Sequence, residues 1–211
     1  MAGLREHKKQ ATREALQTAA LRLALEHGPG NVRVEEIAQA AGVSPRTYNN
    51  YFSSREQAIV SAITADRVTR TVAAVLHRPA DVPLGVAVLD AVVPAYSGDP
   101  EASGAALLMV ATTPALRTSY LDTVTGLEEP LAGAIVDRCG GVEALTARVL
   151  AAGVVAAIRV ALEHWLRAAT VPAALPGFVI PAGSLPEVVR AAVTALVPAL
   201  NAAAPRPEPS G

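Results

Sequence analysis

The chain has 211 residues, a single cysteine and a formal net charge of −1. This length buries a core without disulfide or metal support, and the lone Cys139 excludes an internal disulfide. Hydrophobic residues make up 51% of the chain but aromatic residues only 3%. Such a mixture of Ala, Val and Leu favours packed helices over sheets, so we predict an all-α protein.

The charges are unevenly divided along the chain. Residues 1–76 carry ten Lys and Arg against seven Asp and Glu, a balance of +3, and residues 77–211 carry eight against twelve, a balance of −4. A basic first part weakly indicates nucleic-acid binding. The first ten residues are polar where a secretory signal has an apolar core, and Arg159 and Glu163 interrupt the longest apolar stretch, Val149–Trp165. We expect a cytoplasmic protein without a membrane span.

The first predicted elements are two helices. Apolar residues at helical spacing predict a helix over Lys8–His27, which Gly28-Pro29-Gly30 ends. A short helix over Val34–Ala41 follows, and Gly42-Val43-Ser44 forms a tight break after it.

The next two helices have clear start signals. Ser44 is suited to be an N-cap with Pro45 at the first helical position, so a brief helix begins at Pro45. Ser53 and Glu56 match the S/T-x-x-E capping box, which predicts a further helix running toward Leu76.

Apolar helices fill the rest of the chain. Two of them are long, Val142–Ala169 and Leu185–Ala203, with a Pro- and Gly-containing loop, Val171–Gly183, between them. We predict a disordered tail over Pro205–Gly211. Four prolines are expected at element starts or kinks: Pro83, Pro100, Pro114 and Pro130.

Ala38 and Gly42 fit a helix-turn-helix. The motif needs a small residue where its two helices cross and a glycine where the turn requires positive φ. Ile37, Val43 and Tyr48 would fill the core between the helices. An ordinary helical hairpin is the alternative reading of this spacing.

The helix after the turn carries side chains that suit DNA recognition. Arg46 can pair with guanine or phosphate, and Asn49 and Asn50 can donate to and accept from base edges. Thr47 can contact a phosphate or a thymine methyl, and Tyr51 can donate to a phosphate. Phe52 is expected in the core.

These residues resemble the TetR family of regulators. The family pattern T-V-x-x-I-A-x-x-A-G-V-S, T-x-x-x-Y-F and S-[KR]-E is matched by Val34–Ser44, by Thr47 with Tyr51-Phe52, and by Ser54-Arg55-Glu56. The resemblance spans residues 10–60. It implies a helix-turn-helix DNA-binding domain over residues 1–55 and a helical effector-binding and dimerisation domain over residues 56–204, with the tail at 205–211.

The resemblance also implies which residues contact DNA. The helix from Pro45 to Tyr51 would enter the major groove of a palindromic operator, and the starts of the neighbouring helices would touch phosphates. Two residues depart from the family: Arg33 replaces a capping Thr, and Asn49 replaces a common aromatic residue. The expected DNA-binding residues are Arg33, Ser44, Pro45, Arg46, Thr47, Asn49, Asn50, Tyr51 and Arg55.

For the second part of the chain the resemblance implies a homodimer, formed by Val142–Ala169 and Leu185–Ala203, and a small-molecule effector that releases the protein from DNA. The sequence around Ser44-Pro45-Arg46-Thr47 is similar to those of a TetR subgroup suspected of sensing acyl compounds such as acyl-CoA. A monomer with a central core helix is the alternative to the dimer. Candidate ligand-binding residues are Met109, Arg159, His164 and Trp165, although Met109 also suits plain core and Arg159 can pair with Glu163 along its helix.

An enzyme is the main rival class. The four histidines, His7, His27, His77 and His164, are scattered, and the sequence has no metal-spaced pair, glycine-rich phosphate loop or G-x-S-x-G motif. We therefore expect no catalytic site, metal or cofactor. A DNA-binding regulator without an effector is the third reading.

Overall fold

The computed structural model describes residues 2–97, 100–170 and 183–204. Every regular element in these ranges is helical, which confirms the predicted all-α class. Short 3₁₀ helices cover Pro29–Asn31, Val93–Tyr96 and Thr123–Leu127. In chain order the α-helices are α1 Ala2–His27, α2 Val34–Ala40, α3 Pro45–Asn49, α4 Arg55–Ile63, α5 Arg67–His77, α6 Leu84–Val92, α7 Pro100–Thr112, α8 Pro114–Asp122, α9 Glu128–Cys139, α10 Ala144–Thr170, α11 Leu185–Thr194 and α12 Val197–Ala203.

The four prolines stand where the sequence predicts. Pro100 and Pro114 begin α7 and α8, Pro83 directly precedes α6, and Pro130 lies in the first turn of α9. The predicted loop over residues 171–183 lies, apart from its last residue, outside the described residues, as does the predicted tail Pro205–Gly211.

Contacts divide the chain into two compact units. Unit 1 comprises Met1–Ala65 and Asp99–Thr123, and unit 2 comprises Asp66–Gly98 and Val124–Gly211. Unit 1 therefore holds α1–α4 with α7 and α8, and unit 2 holds α5, α6 and α9–α12. The domain boundary expected at residue 55 stays a prediction.

In unit 1, α1 packs on α2 and α4, and α4 packs on α8. The buried side of α1 is formed by Leu16, Ala19, Ala20 and Ala24. The helix begins at Ala2, six residues before the predicted start at Lys8. Apolar periodicity detects only the part of a helix that packs on a core, whereas residues 5–7, ahead of the predicted start, are exposed.

The start of α4 lies one residue later than predicted. Ser54, and not Ser53, is the N-cap, since its Oγ accepts a hydrogen bond from the Gln57 amide at 3.1 Å. Gln57 Oε1 in turn accepts from the Ser53 amide at 2.7 Å. Ser54 and Gln57 satisfy the same capping pattern as Ser53 and Glu56, so the pattern could not place the start to one residue.

The predicted single helix from this cap toward Leu76 is wrong. It is broken between Ile63 and Arg67, where Asp66 adopts the left-handed conformation with φ of 57°. A short polar side chain tolerates this conformation better than most residues do. Nothing in the apolar periodicity marks the break.

In unit 2, α10 packs on α9 and α11, and α6 packs on α5 and α12. The predicted helix Val142–Ala169 is observed as α10. The predicted helix Leu185–Ala203 is instead two helices, α11 and α12, bent by 49°. Pro198 stands at the start of α12, where it lacks an amide proton and its ring excludes the carbonyl of Thr194 from a continuous helix.

The longest helix, α10, buries one face and exposes another. Ala147, Ala151, Val154, Ile158 and Leu162 are buried, whereas side chains elsewhere on α10 are open to solvent. By length and composition Ala144–Ala168 is apolar enough to cross a membrane, with mean hydropathy 1.9, and α11 with α12 meets the same criterion as a bent pair. The core helix of a soluble protein meets this criterion too.

Arg138 ties α9 to the end of α5. Its guanidinium donates to the carbonyls of Val75, Arg78, Pro79 and Val82, the last two at 2.6 and 2.8 Å. The Val75 carbonyl lies in the last turn of α5, where intrahelical donors run out, and the other three carbonyls follow the helix. One side chain therefore orders the connection from α5 to α6.

Gly85 allows a close approach between α6 and α12. It is buried, and its amide donates to Asn201 Oδ1 at 2.7 Å. A Cβ at this position would lie 2.9 Å from the Val197 carbonyl oxygen and equally close to the side chains of Val197 and Asn201.

Replacing Gly85 by Ala is expected to lower the free energy of unfolding by about 1–3 kcal/mol, because a backbone carbonyl cannot move out of the way as a flexible side chain can. The matched control is Gly133→Ala in α9, where the added Cβ meets nothing within 4 Å. This control should gain about 0.5–1 kcal/mol from the better helix propensity of alanine. Urea unfolding followed by circular dichroism measures both variants, and a stabilised Gly85→Ala protein would contradict the tight contact.

Candidate nucleic-acid interface

The turn between α2 and α3 has a defined geometry. Gly42 has φ of +69°, and its amide donates to the Gln39 carbonyl at 3.0 Å while the Val43 amide donates to the Ala38 carbonyl at 2.9 Å. These two bonds form a Schellman motif, which ends a helix and redirects the chain. The predicted role of Gly42 in the turn is confirmed.

A small core holds α3 against the rest of unit 1. Ile37, Ala38 and Tyr48 are fully buried, and Phe52 is 2% exposed, whereas Val43 is only half-buried. The rings of Tyr48 and Phe52 lie 5.8 Å apart. The predicted core is therefore present, with Phe52 as a member.

Tyr48 also anchors α3 through its hydroxyl, which donates to the Ser54 carbonyl at 2.8 Å. Burial raises the pKa of Tyr48 to about 12, and the negative charge of Glu56 acts in the same direction. The neutral phenol is the form that can donate this bond. The sequence places Tyr48 in the core but does not reveal this link to the chain just before α4.

The first turn of α3 is capped as predicted. Ser44 Oγ accepts from the Thr47 amide at 3.1 Å, and the hydroxyls of Ser44 and Thr47 are 2.9 Å apart. Pro45 occupies the first helical position, so Ser44, Pro45 and Thr47 together define the start of α3. The hydroxyls of Ser44 and Thr47 are thus engaged with each other before any partner arrives.

The remaining side chains predicted to contact DNA face solvent. Pro45, Arg46, Asn49 and Asn50 are exposed, and Tyr51 is half-exposed. Within the described part of the chain, the Arg46 guanidinium makes no hydrogen bond or ion pair. The arrangement presents one guanidinium and two amides to solvent from a helix whose opposite side is fixed by Tyr48.

Residues 16–62 match the family model described as bacterial regulatory proteins, tetR family. This stretch of the chain is a TetR-family domain. The matched segment includes the whole of the helix-turn-helix, from α2 to the end of α3, together with most of α4.

Two curated relatives match part of the chain. It is 41% identical over 63 residues to the HTH-type transcriptional regulator TcmR of Streptomyces glaucescens, covering 30% of this chain and 28% of that one. It is 45% identical over 51 residues to the regulator BetI of Rhizobium meliloti, covering 24% and 25%. The chain thus matches only about a quarter of the length of either relative.

A solved structure matches over more of the chain. The fatty acid degradation regulator FadR from Bacillus halodurans is 17% identical, with a TM-score of 0.47, over 88% of this chain and 94% of that one.

Two arginines flank α3 in different ways. Arg33 is exposed and precedes α2; its side chain makes no cap, but the Glu36 carboxylate accepts its amide hydrogen bond at 2.9 Å. Arg55 begins α4 and donates to the carbonyls of Gly30 and Val32 at 3.0 and 3.1 Å. Arg55 thus fixes the connection before α2, a role that the sequence does not show, and its phosphate contact stays a prediction.

Glu56 completes this cluster. Its carboxylate accepts from Arg55 Nε at 2.8 Å. Burial alone would raise the pKa of Glu56, but hydrogen bonds from Arg55, its own backbone and Ser54, with the charge of Arg55, lower it overall. Glu56 is therefore ionised near neutral pH and holds Arg55 in place.

The candidate ligand-binding residues belong to both units. Met109, on α7 in unit 1, is half-buried, whereas Arg159, His164 and Trp165 lie on α10 in unit 2. Arg159 is exposed and donates from Nε to Glu163 at 3.1 Å, which is the alternative pairing that the sequence allows. No group of metal-binding side chains occurs among the described residues.

Replacing Tyr48 by Phe removes the phenol, so a comparison of parent and variant shows how the ionisation of Tyr48 makes stability depend on pH. An unfolded tyrosine ionises near pH 10 but folded Tyr48 near pH 12, so between these values only the unfolded state loses the proton. The stability of the parent protein should therefore fall by about 1.4 kcal/mol per pH unit relative to the variant in that window, with no relative change below pH 10.

Urea unfolding of both proteins from pH 8 to 11.5 measures this difference, because lysines and other tyrosines titrate alike in the two. At neutral pH the variant should be about 1 kcal/mol less stable because it lacks the hydrogen bond to Ser54. Parallel profiles across the whole range would show that Tyr48 is not held as a buried donor.

Proposed function

We propose that this protein is a transcriptional repressor that binds a near-palindromic operator as a homodimer and leaves it when a small molecule binds. The observation that carries the proposal is the exposed polar surface of α3, which is capped by Ser44 and anchored by Tyr48 in a TetR-family domain. A regulator of this kind acts in the cytoplasm.

In this proposal α3 enters the major groove, which admits one helix and displays a distinct donor and acceptor pattern for each base pair. Arg46 pairs with guanine or phosphate, and Asn49 and Asn50 read base edges. Thr47 contacts a thymine methyl, since its hydroxyl is engaged with Ser44. Arg33, Arg55 and Tyr51 face phosphates, with Ser44 and Pro45 beside them at the start of the helix.

The exposed apolar side of α10 supports the dimer. Leu145, Val149 and Val160 are 63, 63 and 62% exposed, and Ala152 and Ala156 lie between them at helical spacing with partial or full exposure. An apolar stripe of this length is costly in water and requires cover. Only 39% of the apolar stretch of α10 is buried within the chain.

Small residues are also exposed on the last two helices. Ala191, Ala195, Ala199 and Ala202 are exposed at intervals of three or four residues. Side chains this small let helices of a second copy approach closely. The exposed ion pair of Arg159 and Glu163 on α10 favours a second protein chain over lipid as the cover, because charges are costly in a bilayer.

A two-fold dimer presents two copies of α3, so its operator has two related half-sites. The effector in this proposal is apolar or acyl-like, an inference that rests on the sequence resemblance alone. Met109, His164 and Trp165 remain its candidate contacts, whereas Arg159 contributes only if its pair with Glu163 opens.

Replacing Arg46 by Ala should weaken binding to the operator by about 1–3 kcal/mol without loss of fold. The test is a selection of genomic fragments by the purified protein, followed by affinity measurement on the enriched site. Arg22→Ala is the matched control, because Arg22 is exposed in the same unit and makes only a surface pair with Glu26. Equal affinity of the Arg46→Ala and Arg22→Ala proteins would remove Arg46 from the interface.

The same selection tests the effector when it is repeated with a long-chain acyl-CoA in the buffer. Loss of the enriched fragments supports an acyl-type ligand. Unchanged enrichment rejects acyl-CoA and leaves the DNA-binding proposal standing.

The double substitution Val149→Glu and Val160→Glu should weaken the dimer about 100-fold or more, because unpaired charges would be buried at its centre. Sedimentation at several concentrations measures the effect, with circular dichroism to confirm the fold. Leu76→Glu is the control, since Leu76 is 43% exposed on α5. A parent protein that stays monomeric at micromolar concentration, or a double variant that dimerises as well as the control, would overturn this interface.

A further inference from the structure

The first turns of α1 reach beyond the core that the helix packs on. Residues 5–11 are all exposed, and the first fully buried side chain is that of Leu16. Since a helix rises about 1.5 Å per residue, Arg5 lies about 16 Å along the axis from Leu16. This part of α1 is a projecting helix end rather than a packed element.

In the projecting end of α1, the cations lie on the side of the helix that is buried from Leu16 onward. A residue turns about 100° in an α-helix, which places Arg5 and Lys9 within about 40° of the line of Leu16, and Lys8 and Arg13 within about 80° of it. Glu14 lies about 160° from this line, and Gln10 donates to it at 2.9 Å. Glu6 lies about 80° from the line, at the edge of the basic stripe opposite to Lys8. Where α1 leaves the core, its core-facing stripe thus changes from apolar to basic.

Arg13 locates this stripe next to α3. Its guanidinium carbon lies 5.1 Å from the centre of the Phe52 ring, and Phe52 follows the end of α3 by three residues. Lys9 and Arg5 lie about 6 and 12 Å farther along the helix axis from Arg13. The cations therefore continue outward from the side of the domain at which the recognition helix ends.

Stability of α1 itself does not explain these cations. The first turn holds Arg5 and no acidic residue, although the positive end of the helix dipole favours anions there and disfavours cations. Across the residues that the structure describes, no basic side chain from Arg5 to Arg13 forms an ion pair with a carboxylate. An arrangement that is unfavourable for the isolated helix is favourable once an anion is bound.

We propose that Arg5, Lys8, Lys9 and Arg13, the projecting basic face, bind phosphates of double-stranded DNA beside the segment that α3 reads. This inference rests on the proposed DNA-binding function and extends the interface beyond α2, α3 and α4. The residues from Arg5 to Arg13 include no aromatic or large apolar side chain, so they lack the groups with which an interfacial helix enters a membrane.

The test uses the double variant Arg5→Gln and Lys9→Gln, which leaves Arg13 on Phe52 and keeps good helix formers in α1. The control is Arg22→Gln with Arg70→Gln, which removes the same charge from two other exposed positions. Binding to a labelled duplex of about 40 random base pairs is followed by fluorescence anisotropy from low to moderate salt. A random duplex suffices because phosphate contacts are independent of sequence.

The double variant should bind about tenfold more weakly than the control near 0.1 M salt. The slope of log K against log salt should become shallower by about 0.9 for each phosphate that is no longer neutralised, or about 1.8 for the two substitutions in each chain. Equal affinities and equal slopes for variant and control would overturn the proposal, as would a parent protein that does not bind the random duplex even at low salt.

The two proposals fail separately in this design. A fragment selection that enriches no operator would reject sequence-specific recognition, while the random duplex would still report the projecting basic face. Binding to vesicles with half anionic phospholipid is measured in parallel. If the double variant failed to bind vesicles while its DNA binding equalled that of the control, the face would belong to a membrane surface and the DNA assignment would be wrong.

Discussion

The hydrogen bond from the Tyr48 hydroxyl to the Ser54 carbonyl is the contact on which the proposed DNA interface depends. The helix that carries Tyr48 has five residues, far too few to be stable by its own backbone bonds. It persists because its buried tyrosine is fixed at both ends of the side chain: the ring packs on Phe52, and the hydroxyl is bonded to the start of the next helix. Because Tyr48 fixes the orientation of α3, it also fixes the direction in which the exposed side chains of this helix point.

Around this anchor, short-range contacts tie the loops of unit 1 together. Ser44 closes the first turn of α3, Ser54 closes that of α4, and Arg55 bonds the carbonyls of Gly30 and Val32 ahead of α2. Glu56 keeps Arg55 in this position by a charged hydrogen bond. Arg55, which the family resemblance associates with DNA, therefore also holds the loops together. Its replacement would remove a proposed phosphate contact and would also disturb the structure around it.

Structural features that depend only on neighbouring residues could be predicted from the sequence. Gly42 and the pair Ser44-Pro45 specify a turn and a helix start through backbone rules that hold in almost any surroundings, and both are observed. Features set by competing local options or by tertiary contact could not. Two overlapping capping patterns left the start of α4 uncertain by one residue. The apolar periodicity continues through Asp66 and so does not indicate the break there. A prediction based on apolar residues also missed the bend at Pro198 and the projecting end of α1. The contacts of Arg13 and Arg55 join residues more than 20 positions apart, and no local pattern announces them.

The close approach of α6 and α12 at Gly85 has a consequence for how this sequence can change. Val197 and Asn201 occupy the space that any side chain at position 85 would need, and Asn201 also accepts the hydrogen bond of the Gly85 amide. A larger residue at 85 is therefore compatible with the fold only if the backbone of α12 at Val197 moves away, smaller side chains arise at 197 and 201, and another acceptor replaces the asparagine. In the descendants of this protein, positions 85, 197 and 201 are expected to vary as a set.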